Sequence, residues 1–253
     1  MRALITGASS GIGRDMAREL AARGYDLILV ARRRDRLEEV AAELPVDCAI
    51  LTADLGEVAE CKRIYEEAMR YGDLELVINN AGFGLCGRFA ELDLDRELEM
   101  VKINVVAVHV LTKLFVRAFR KKGSGRILNV ASSAGFMPGP MMATYYATKN
   151  YVLRLTQAIA EELRRDGSRV RVCALAPGPV DTEFNAVAGV RFALPGLSSA
   201  DCAKCAIDGV LKGKTVIIPG WQMKISVMAS KLVPECLLPR ITYSIQRKKI
   251  EKD

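Results

Sequence analysis

The sequence predicts a single α/β domain built on a doubly wound parallel β-sheet, with helices on both faces of the sheet. Two observations carry this prediction. Short apolar runs that are typical of buried strands alternate along the chain with segments whose apolar residues recur at helical spacing. The first apolar run stops at a cluster of glycines, Gly7 to Gly13, which leads directly into a helical segment. Strands that alternate with helices form βαβ units, whose parallel strands are covered on both faces.

The individual elements follow from these runs in chain order. The predicted strands are Arg2–Thr6, Asp26–Ala31, Cys48–Thr52, Leu76–Asn79, Arg126–Ala131, Val170–Ala176 and Val216–Ile218. The predicted helices run through Met16–Ala21, Asp35–Leu44, Val58–Tyr71, Asp95–Lys122, Tyr145–Arg165 and Ala200–Leu211. Glycines such as Gly24 and Gly123 mark the turns between them.

No linker or internal repeat divides the chain, so residues 1–220 are expected to form one domain. Between Pro177 and Ser199, prolines and glycines without periodicity predict a mobile loop with short helical pieces. Residues 221–253 form an apolar and then basic tail that charges and prolines interrupt too often for a membrane-spanning helix. We expect this tail to pack on the domain or on a partner subunit, with a peripheral membrane contact as the less favoured alternative.

Charge and cysteine content narrow the class of protein. The formal charge of +7 indicates affinity for anions, but the only basic clusters are Arg32–Arg34, Arg120–Lys122 and Arg247–Lys249. A phosphorylated small molecule accounts for the first cluster, so no nucleic-acid partner is expected. The seven cysteines are odd in number, which favours a reducing cytoplasm over a disulfide framework. The lone C-x-x-C at Cys202–Cys205 lacks further ligands, so no metal site is predicted, and a strand-like start argues against a secretory signal.

Tyr145 and Lys149 lie four residues apart in a predicted helix, which places a phenol and an ammonium on one face. A tyrosine has an unperturbed pKa of about 10, so it exchanges protons poorly near neutral pH unless a positive charge stabilises the phenolate. Lys149 supplies such a charge. Tyr146 and Tyr151 have no cation at this spacing, and His109 is expected to be a buried packing residue in an apolar stretch.

The glycine cluster has the spacing G-x-x-x-G-x-G between a predicted strand and helix, where helix N–H groups can meet a dinucleotide pyrophosphate. Together with Tyr145 and Lys149, it strongly resembles the short-chain dehydrogenase/reductase family, in its classical branch, over about residues 1–220. The resemblance implies a Rossmann-like NADP(H)-binding catalytic domain that transfers a hydride between a nicotinamide and a carbonyl or alcohol. In the glycine cluster it implies cofactor contacts from Gly7, Ser9, Ser10, Gly11, Ile12 and Gly13.

Further segments match the family's pattern in the same order along the chain. Asp54 and Leu55 resemble the pair that contacts the adenine ring, and Asn104 and Ser132 stand where the family keeps a catalytic asparagine and serine. Two other segments resemble the lining of the cofactor cleft and the stretch that closes over the nicotinamide. They imply contacts from Asn80, Ala81, Gly82, Pro177, Gly178, Val180 and Thr182.

The choice of nicotinamide cofactor is predicted from charge at the end of the second strand. An NAD enzyme needs a carboxylate there for the adenosine ribose, but Ala31 occupies the position. The adjacent Arg32 offers a planar guanidinium that suits the additional phosphate of NADP, and Arg33 adds to the field. The sequence therefore predicts NADP(H).

The resemblance also implies a mechanism. Tyr145 would donate its proton to the developing alkoxide, and Ser132 would orient the carbonyl oxygen. Lys149 would bind the nicotinamide ribose and lower the pKa of Tyr145, while Asn104 would hold a water that links Lys149 to solvent. A protein that kept the fold as an NADP(H)-binding sensor or scaffold without chemistry is the alternative, but it would have no physical need for the intact Ser132, Tyr145 and Lys149.

Segments that resemble the family's substrate walls are rich in apolar side chains, which favours a hydrophobic carbonyl or alcohol, although packing within the loops explains several of them nearly as well. These side chains are Phe83, Leu85, Phe89, Phe136, Met137, Met141, Met142, Phe184, Val187, Phe192 and Leu194. Candidate substrates are a steroid or bile acid, a fatty 3-oxoacyl group and a xenobiotic ketone. A peripheral-membrane lipid reductase is a further alternative that rests on the tail. The resemblance implies a homodimer or homotetramer, and the additional tail puts the tetramer in doubt.

Overall fold

The structure, a computed structural model, describes residues 1–189 and 196–250, with the side chains of residues 186, 187 and 248–250 excepted. Seven strands form one sheet in the order β3-β2-β1-β4-β5-β6-β7, and every pairing is parallel. They are β1 Arg2–Thr6, β2 Asp26–Ala31, β3 Cys48–Thr52, β4 Leu74–Asn79, β5 Gly125–Val130, β6 Val170–Leu175 and β7 Val216–Ile217. The doubly wound parallel sheet that the sequence predicts is confirmed, and predicted strand ends agree within two residues.

The helices connect these strands and extend beyond the last one. They are α1 Gly11–Ala21, α2 Arg34–Ala42, α3 Val58–Met69, α4 Leu94–Val101, α5 Val108–Lys122, α6 Ala143–Arg165, α7 Glu183–Ala188, α8 Ser199–Leu211, α9 Trp221–Ser230 and α10 Leu238–Ile250. A π-helical turn, Lys102–Ala107, joins α4 to α5, and a short 3₁₀ turn, Ser133–Phe136, follows β5.

Two apolar layers cover the sheet because successive residues of a strand point to opposite faces. In β1, Ala3 and Ile5 pack into the layer formed with α1, α2 and α8, whereas Leu4 packs into the layer formed with α3, α5 and α6. Both layers are closed to solvent along the strand centres. The sheet is therefore rigid between its faces, and its open positions lie at the strand ends.

The segment Asp95–Lys122, predicted as one helix, is instead interrupted by the π turn Lys102–Ala107. A π turn carries one residue more than an α turn and is common at functional sites. Here it contains Asn104, which is completely buried and bonds to the backbone of Phe83. The apolar periodicity of the segment continues through the interruption, which is why the sequence does not reveal it.

His109 is exposed, so the prediction of a buried packing residue is wrong. It lies on the outer side of α5, and its Nδ1 is 2.7 Å from the hydroxyl of Tyr151 on α6. Val108, Leu111 and Phe115 face the core from the same helix. The apolar residues around His109 predicted that it is buried. It is exposed because it lies on the face of α5 that points away from the core.

The described part of the tail, residues 221–250, forms two helices, α9 and α10. In α9, Met223 packs closely against Gly178. A Cβ added to Gly178 would lie 2.3 Å from the methyl group of Met223. Several large apolar side chains of the tail are nevertheless exposed, among them Trp221, Met228 and Leu232. None of the described helices combines the length and the apolar character that a bilayer crossing requires. The division at residue 220 stays a prediction.

Candidate active site

A cavity of about 540 Å³ opens at the carboxyl ends of the parallel strands. In open α/β sheets, ligands bind at this edge where the strand order reverses, which is here between β1 and β4. Every site residue that the sequence predicts lines the cavity, with the exception of Asn104. We call the part formed by Gly7–Gly13, Arg32 and Asp54 the glycine end, and the part formed by Met142, Tyr146, Phe184 and Gln246 the tail end.

The glycine end has a backbone shape that side chains would block. Gly7 and Gly11 have φ angles of 66° and 52°, a left-handed conformation that glycine adopts without strain. A Cβ on Gly13 would lie 2.2 Å from the carbonyl oxygen of Gly7. The Asn80 amide holds this turn by donating to the carbonyl oxygens of Thr6 at 2.9 Å and Gly7 at 3.2 Å.

The turn leads into the first residues of α1, whose amino end has no side-chain cap and no acidic residue. Helix N–H groups at such an end lack intrahelical acceptors and bind phosphate well. Thr182 closes over the turn, since a Cβ on Gly11 would lie 3.3 Å from its side chain. The chain therefore fits a dinucleotide whose pyrophosphate faces the start of α1.

Two guanidinium groups lie on the rim of the glycine end. Arg32 is 3.3 Å from Glu99, and Arg33 is 3.5 Å from both the Ser9 hydroxyl and Glu183. Both arginine side chains are at least half exposed, so these contacts are weak and exchangeable. Ala31 ends β2 without a carboxylate. The rim is thus open to an anionic group.

At the neighbouring strand end, Asp54 and Leu55 follow β3. Asp54 accepts a hydrogen bond from the Gly56 N–H at 2.9 Å, which fixes the turn, and Leu55 is buried beneath it. Asp54 provides a polar group and Leu55 an apolar surface beside it, and this combination suits a heteroaromatic ring.

Tyr145, Ser132 and Lys149 meet in the middle of the cavity. The Ser132 hydroxyl makes a hydrogen bond with Tyr145, and the 3₁₀ turn after β5 holds this serine, whose Oγ accepts from the Ala134 N–H at 3.2 Å. Lys149 is 5% exposed, its Nζ donates to the Val130 carbonyl oxygen at 2.9 Å, and it lies 5.8 Å from the centre of the Tyr145 ring. The helical spacing of Tyr145 and Lys149 therefore brings both groups to one site.

Burial is the largest cause of the pKa shifts of Tyr145 and Lys149. It raises the pKa of Tyr145 to about 12, against a smaller lowering by the Ser132 hydrogen bond, and it lowers the pKa of Lys149 to about 8. Desolvation of the phenolate is the largest cause of the Tyr145 shift, and the expected lowering of the Tyr145 pKa by Lys149 stays a prediction. Tyr145 consequently keeps its proton at neutral pH, as a proton donor must.

Asn104 lies behind the cavity wall. Its amide donates to the Phe83 carbonyl oxygen at 2.9 Å and to the Thr148 hydroxyl at 3.2 Å, and its oxygen accepts from the Phe83 N–H at 3.1 Å. Both amide protons are thus engaged, so the Asn104 side chain cannot donate to a water in this arrangement. Its position ties the segment after β4 to α6, beside Lys149; the expected water relay stays a prediction.

The apolar wall is smaller than the sequence predicts. Phe83, Met142 and Phe184 line the cavity, and Leu85 packs behind them. Phe89 is 67% exposed and lies outside the wall, because its loop turns toward solvent. Three others do not line the cavity, namely Phe136, Met137 and Met141. The side chain of Val187, and Phe192 and Leu194 entirely, lie outside the described residues.

Sequence reasoning found Met142 and Phe184 of the tail end but missed Tyr146 and Gln246. Tyr146, which lacks the motif's cation, lines the cavity and hydrogen-bonds to Gln246 of α10, which is 1% exposed. Burial raises the pKa of Tyr146 to about 12, with a smaller lowering by Gln246. Gln246 is part of no recognisable sequence motif, and only the packing of α10 shows that it lines the cavity.

The sequence around this cavity is matched by the model of a known family. The sequence model of the short chain dehydrogenases matches residues 1–189. The chain belongs to this family. As a short-chain dehydrogenase it is an oxidoreductase, and the resemblance inferred from the motifs is confirmed.

Individual relatives cover most of the chain. The 11-beta-hydroxysteroid dehydrogenase-like 4A protein of Arabidopsis thaliana is 32% identical, over 94% of this chain and 82% of its own length. A short-chain dehydrogenase from Sphingobium yanoikuyae in complex with NADPH has a TM-score of 0.82 and 32% identity, over 91% and 93% of the two chains. The bulky-bulky ketone specific alcohol dehydrogenase of Comamonas testosteroni has a TM-score of 0.77 and 29% identity, over 91% and 92%. These likenesses support a nicotinamide cofactor.

Proposed function

We propose that this short-chain dehydrogenase is an NADP(H)-dependent oxidoreductase that interconverts a hydrophobic carbonyl compound and its alcohol. The observation that carries the proposal is the convergence of Ser132, Tyr145 and Lys149 in one cavity, next to a glycine turn shaped for a dinucleotide. A single polar side chain near such a turn would suit binding alone. A serine and a protonated tyrosine in hydrogen-bond contact suit proton transfer to an oxygen as well.

NADPH supplies the hydride when it is bound. The chain supplies the proton and orients the carbonyl group of the substrate. Ser132 donates a hydrogen bond to the carbonyl oxygen, and the adjacent Tyr145 hydroxyl delivers its proton to that oxygen as charge develops there. Lys149 provides an ammonium for the nicotinamide ribose and a positive field beside the phenol. In oxidation the phenolate of the same residue is the proton acceptor, since the two directions share one pathway.

The preference for NADP(H) over NAD(H) is supported by the charges at the glycine end. Arg32 and Arg33 lie on the rim, and their carboxylate partners, Glu99 and Glu183, contact them only at 3.3 and 3.5 Å. A phosphate would compete well for both guanidinium groups. The Sphingobium relative, which was solved with NADPH, is consistent with this choice.

The substrate class is supported by the wall of the cavity and by the relatives. Phe83, Met142 and Phe184 offer apolar surface around the Tyr145 hydroxyl. Relatives are described as hydroxysteroid dehydrogenase-like and as specific for bulky-bulky ketones. We therefore favour a bulky ketone or secondary alcohol of steroid type over a fatty 3-oxoacyl group or a small xenobiotic ketone.

A peripheral-membrane lipid reductase is a second candidate, which the exposed apolar surface of the tail favours. Trp221 and Met228 of α9 are each 69% exposed, and Leu232 is 86% exposed. Sedimentation with liposomes, with the full chain and with a chain that ends at residue 220, tests this candidate. Sedimentation of the full chain but not of the shortened chain would support it. It would be contradicted if the full chain does not sediment, or if both chains sediment equally.

We also propose a homo-oligomer, a dimer or a tetramer, and a cytoplasmic location. Association through the outer faces of α5 and α6 is the arrangement expected for the family. No disulfide joins any of the seven cysteines, all of which lie in the described part of the chain, and this suits a reducing compartment. Size-exclusion chromatography with light scattering measures the first, and microscopy of the tagged full chain measures the second.

The decisive test is a substrate screen in both redox directions with NADP(H) and NAD(H), in which the absorbance of the reduced cofactor measures turnover. We expect turnover of bulky ketones with NADPH and slower turnover with NADH. Tight NADPH binding without turnover of any ketone would instead favour the sensor or scaffold.

A further inference from the structure

Helix α10 has an inverted pattern of burial. Leu238, Thr242 and Gln246, spaced four residues apart, form its buried face, whereas Ile241 and Ile245 are 45% and 53% exposed. Apolar residues of an amphipathic helix normally face the core. Two polar residues occupy that face here, so their polar atoms need partners.

The two polar residues differ in how they are satisfied. The Thr242 hydroxyl donates to the Leu238 carbonyl oxygen at 3.0 Å, within its own helix. Gln246 uses only half of its amide. Its Nε2 donates to the hydroxyl of Tyr146, while its Oε1 is buried and has no hydrogen-bond partner among the described residues. A buried acceptor without a partner costs free energy, which a ligand N–H or O–H can recover. Gln246 lines the cavity and is 1% exposed, so the ligand would have to enter from the cavity.

Tyr146 is held rigidly beside this amide. Its ring lies against Gly139, where an added Cβ would lie 2.2 Å from the ring. Because burial raises its pKa to about 12, with a smaller lowering by the Gln246 hydrogen bond, the phenol stays neutral and accepts the bond from Gln246. The Tyr146–Gln246 pair is therefore a fixed polar group in the apolar tail end.

The pair is separate from the reacting centre but close to it. The ring centres of Tyr145 and Tyr146 are 6.1 Å apart, and the rings are inclined by 75°. Consecutive helical residues project about 100° apart, so the two hydroxyls serve different parts of one cavity. One molecule of a few fused rings can reach both.

We propose that the Tyr146–Gln246 pair is a second polar subsite, and that the preferred substrate carries a hydrogen-bond donor, a hydroxyl or an N–H, several bonds away from its reacting carbonyl. This inference rests on the function proposed above for the same cavity and adds to it the chemical class of the substrate.

The test compares one rigid polycyclic monoketone with a series of its monohydroxy derivatives that differ only in the position and configuration of the hydroxyl. With the full chain and NADPH, we expect at least one derivative to have a kcat/KM about tenfold higher than the unsubstituted ketone. In the variants Gln246→Leu and Tyr146→Phe this preference should disappear, mainly through KM, because kcat/KM should fall about tenfold more for the preferred derivative than for the unsubstituted ketone. Gln222→Leu, at an exposed position of α9, is the matched control and should keep the preference.

A structural role alone would lower kcat/KM for all ketones by the same factor, and that result would overturn the subsite. It would also be overturned if no hydroxy derivative is preferred, or if the preference survives both substitutions. Calorimetric binding of the same ketones to the NADPH-loaded chain separates the two proposals. A Gln246-dependent binding preference without turnover would support the subsite and contradict the proposed reaction.

Discussion

The two ends of the cavity are built in different ways. The glycine end consists of turns that follow strands β1 to β3, and its shape depends on the positive φ angles of Gly7 and Gly11 and on the lack of space for a side chain at Gly13. The tail end consists of side chains from segments far apart in sequence, such as Tyr146 and Gln246, which are 100 residues apart. Local geometry thus specifies the first end, and packing of distant elements specifies the second.

This difference suggests a division of labour between a fixed and a variable half. In the function proposed above, the glycine end binds the cofactor, which is the same for every substrate, so it can be fixed in short motifs. The tail end would bind the substrate; α7 and α10 contribute to it from outside the sheet, and such peripheral segments tolerate change better than strand ends do. Tyr145 and Lys149 lie where the halves meet.

The largest expected effect is at this junction. Tyr145→Phe removes the proton donor and should lower kcat by about a hundredfold to ten-thousandfold for every ketone. NADPH affinity, measured by fluorescence titration, should remain unchanged because the glycine end is untouched. Tyr71→Phe, at an exposed position after α3 and outside the cavity, is the control and should keep the parent rate. A near-normal rate in Tyr145→Phe would contradict the mechanism.

The next effect separates the two ends directly. A chain that ends at Leu237 lacks α10, so the cavity loses Gln246 and opens to water. We expect kcat/KM for bulky ketones to fall about tenfold, through KM, while NADPH affinity is retained. Circular dichroism melting checks that the shortened chain is folded. An equal loss of NADPH affinity would mean that the ends are not independent.

A substitution at the glycine end should have the converse effect. Arg32→Asp replaces the guanidinium with a carboxylate, which repels the additional phosphate of NADP and suits the adenosine ribose of NAD. The ratio of kcat/KM for NADPH to that for NADH should fall by about tenfold, with KM for the ketone unchanged. Arg34→Asp is the matched control, since Arg34 pairs with Glu38 on α2 at 2.7 Å and does not line the cavity. Unchanged ratios in Arg32→Asp would refute the NADP(H) assignment.

The smallest effect is on stability and again concerns the junction. The folded-state pKa of Lys149 is about 8, below its ordinary value of 10.5, so burial of the ammonium destabilises the fold below pH 8. Between these values the unfolded chain binds the additional proton, and stability from this group rises with pH. Lys149→Met should therefore raise the melting temperature at pH 7, by about 2–4 °C for a net gain of about 1 kcal/mol after loss of the Val130 hydrogen bond.

This gain should shrink as pH rises from 8 toward 10.5, which melting curves of both chains would record. Lys122→Met is a suitable reference, because its Nζ also donates to a backbone carbonyl oxygen, that of Leu74 at 2.8 Å, outside the cavity. A gain that is independent of pH would show that desolvation of Lys149 is not its cause.

Much of the fold and the whole of the glycine end could be predicted because their signals are local. A strand, a glycine turn and a helix follow one another within about residues 2–21, and Tyr145 and Lys149 need only one helical turn to meet. The π turn around Asn104 could not be predicted, because apolar periodicity continues through it. The exposure of His109 depends on a helix face, which composition does not specify.

The sequence by itself determined the parallel sheet, the glycine turn and the helix that carries Tyr145 and Lys149, since strand and helix periods and glycine conformations act over a few residues. Only the tertiary structure decided which apolar residues line the cavity and that α10 returns to it. The reason is physical: the Tyr146–Gln246 contact depends on how α9 and α10 pack after β7, which is a sum of many weak long-range contacts. Burial, which sets the pKa values of Tyr145 and Lys149, likewise exists only once the chain has folded.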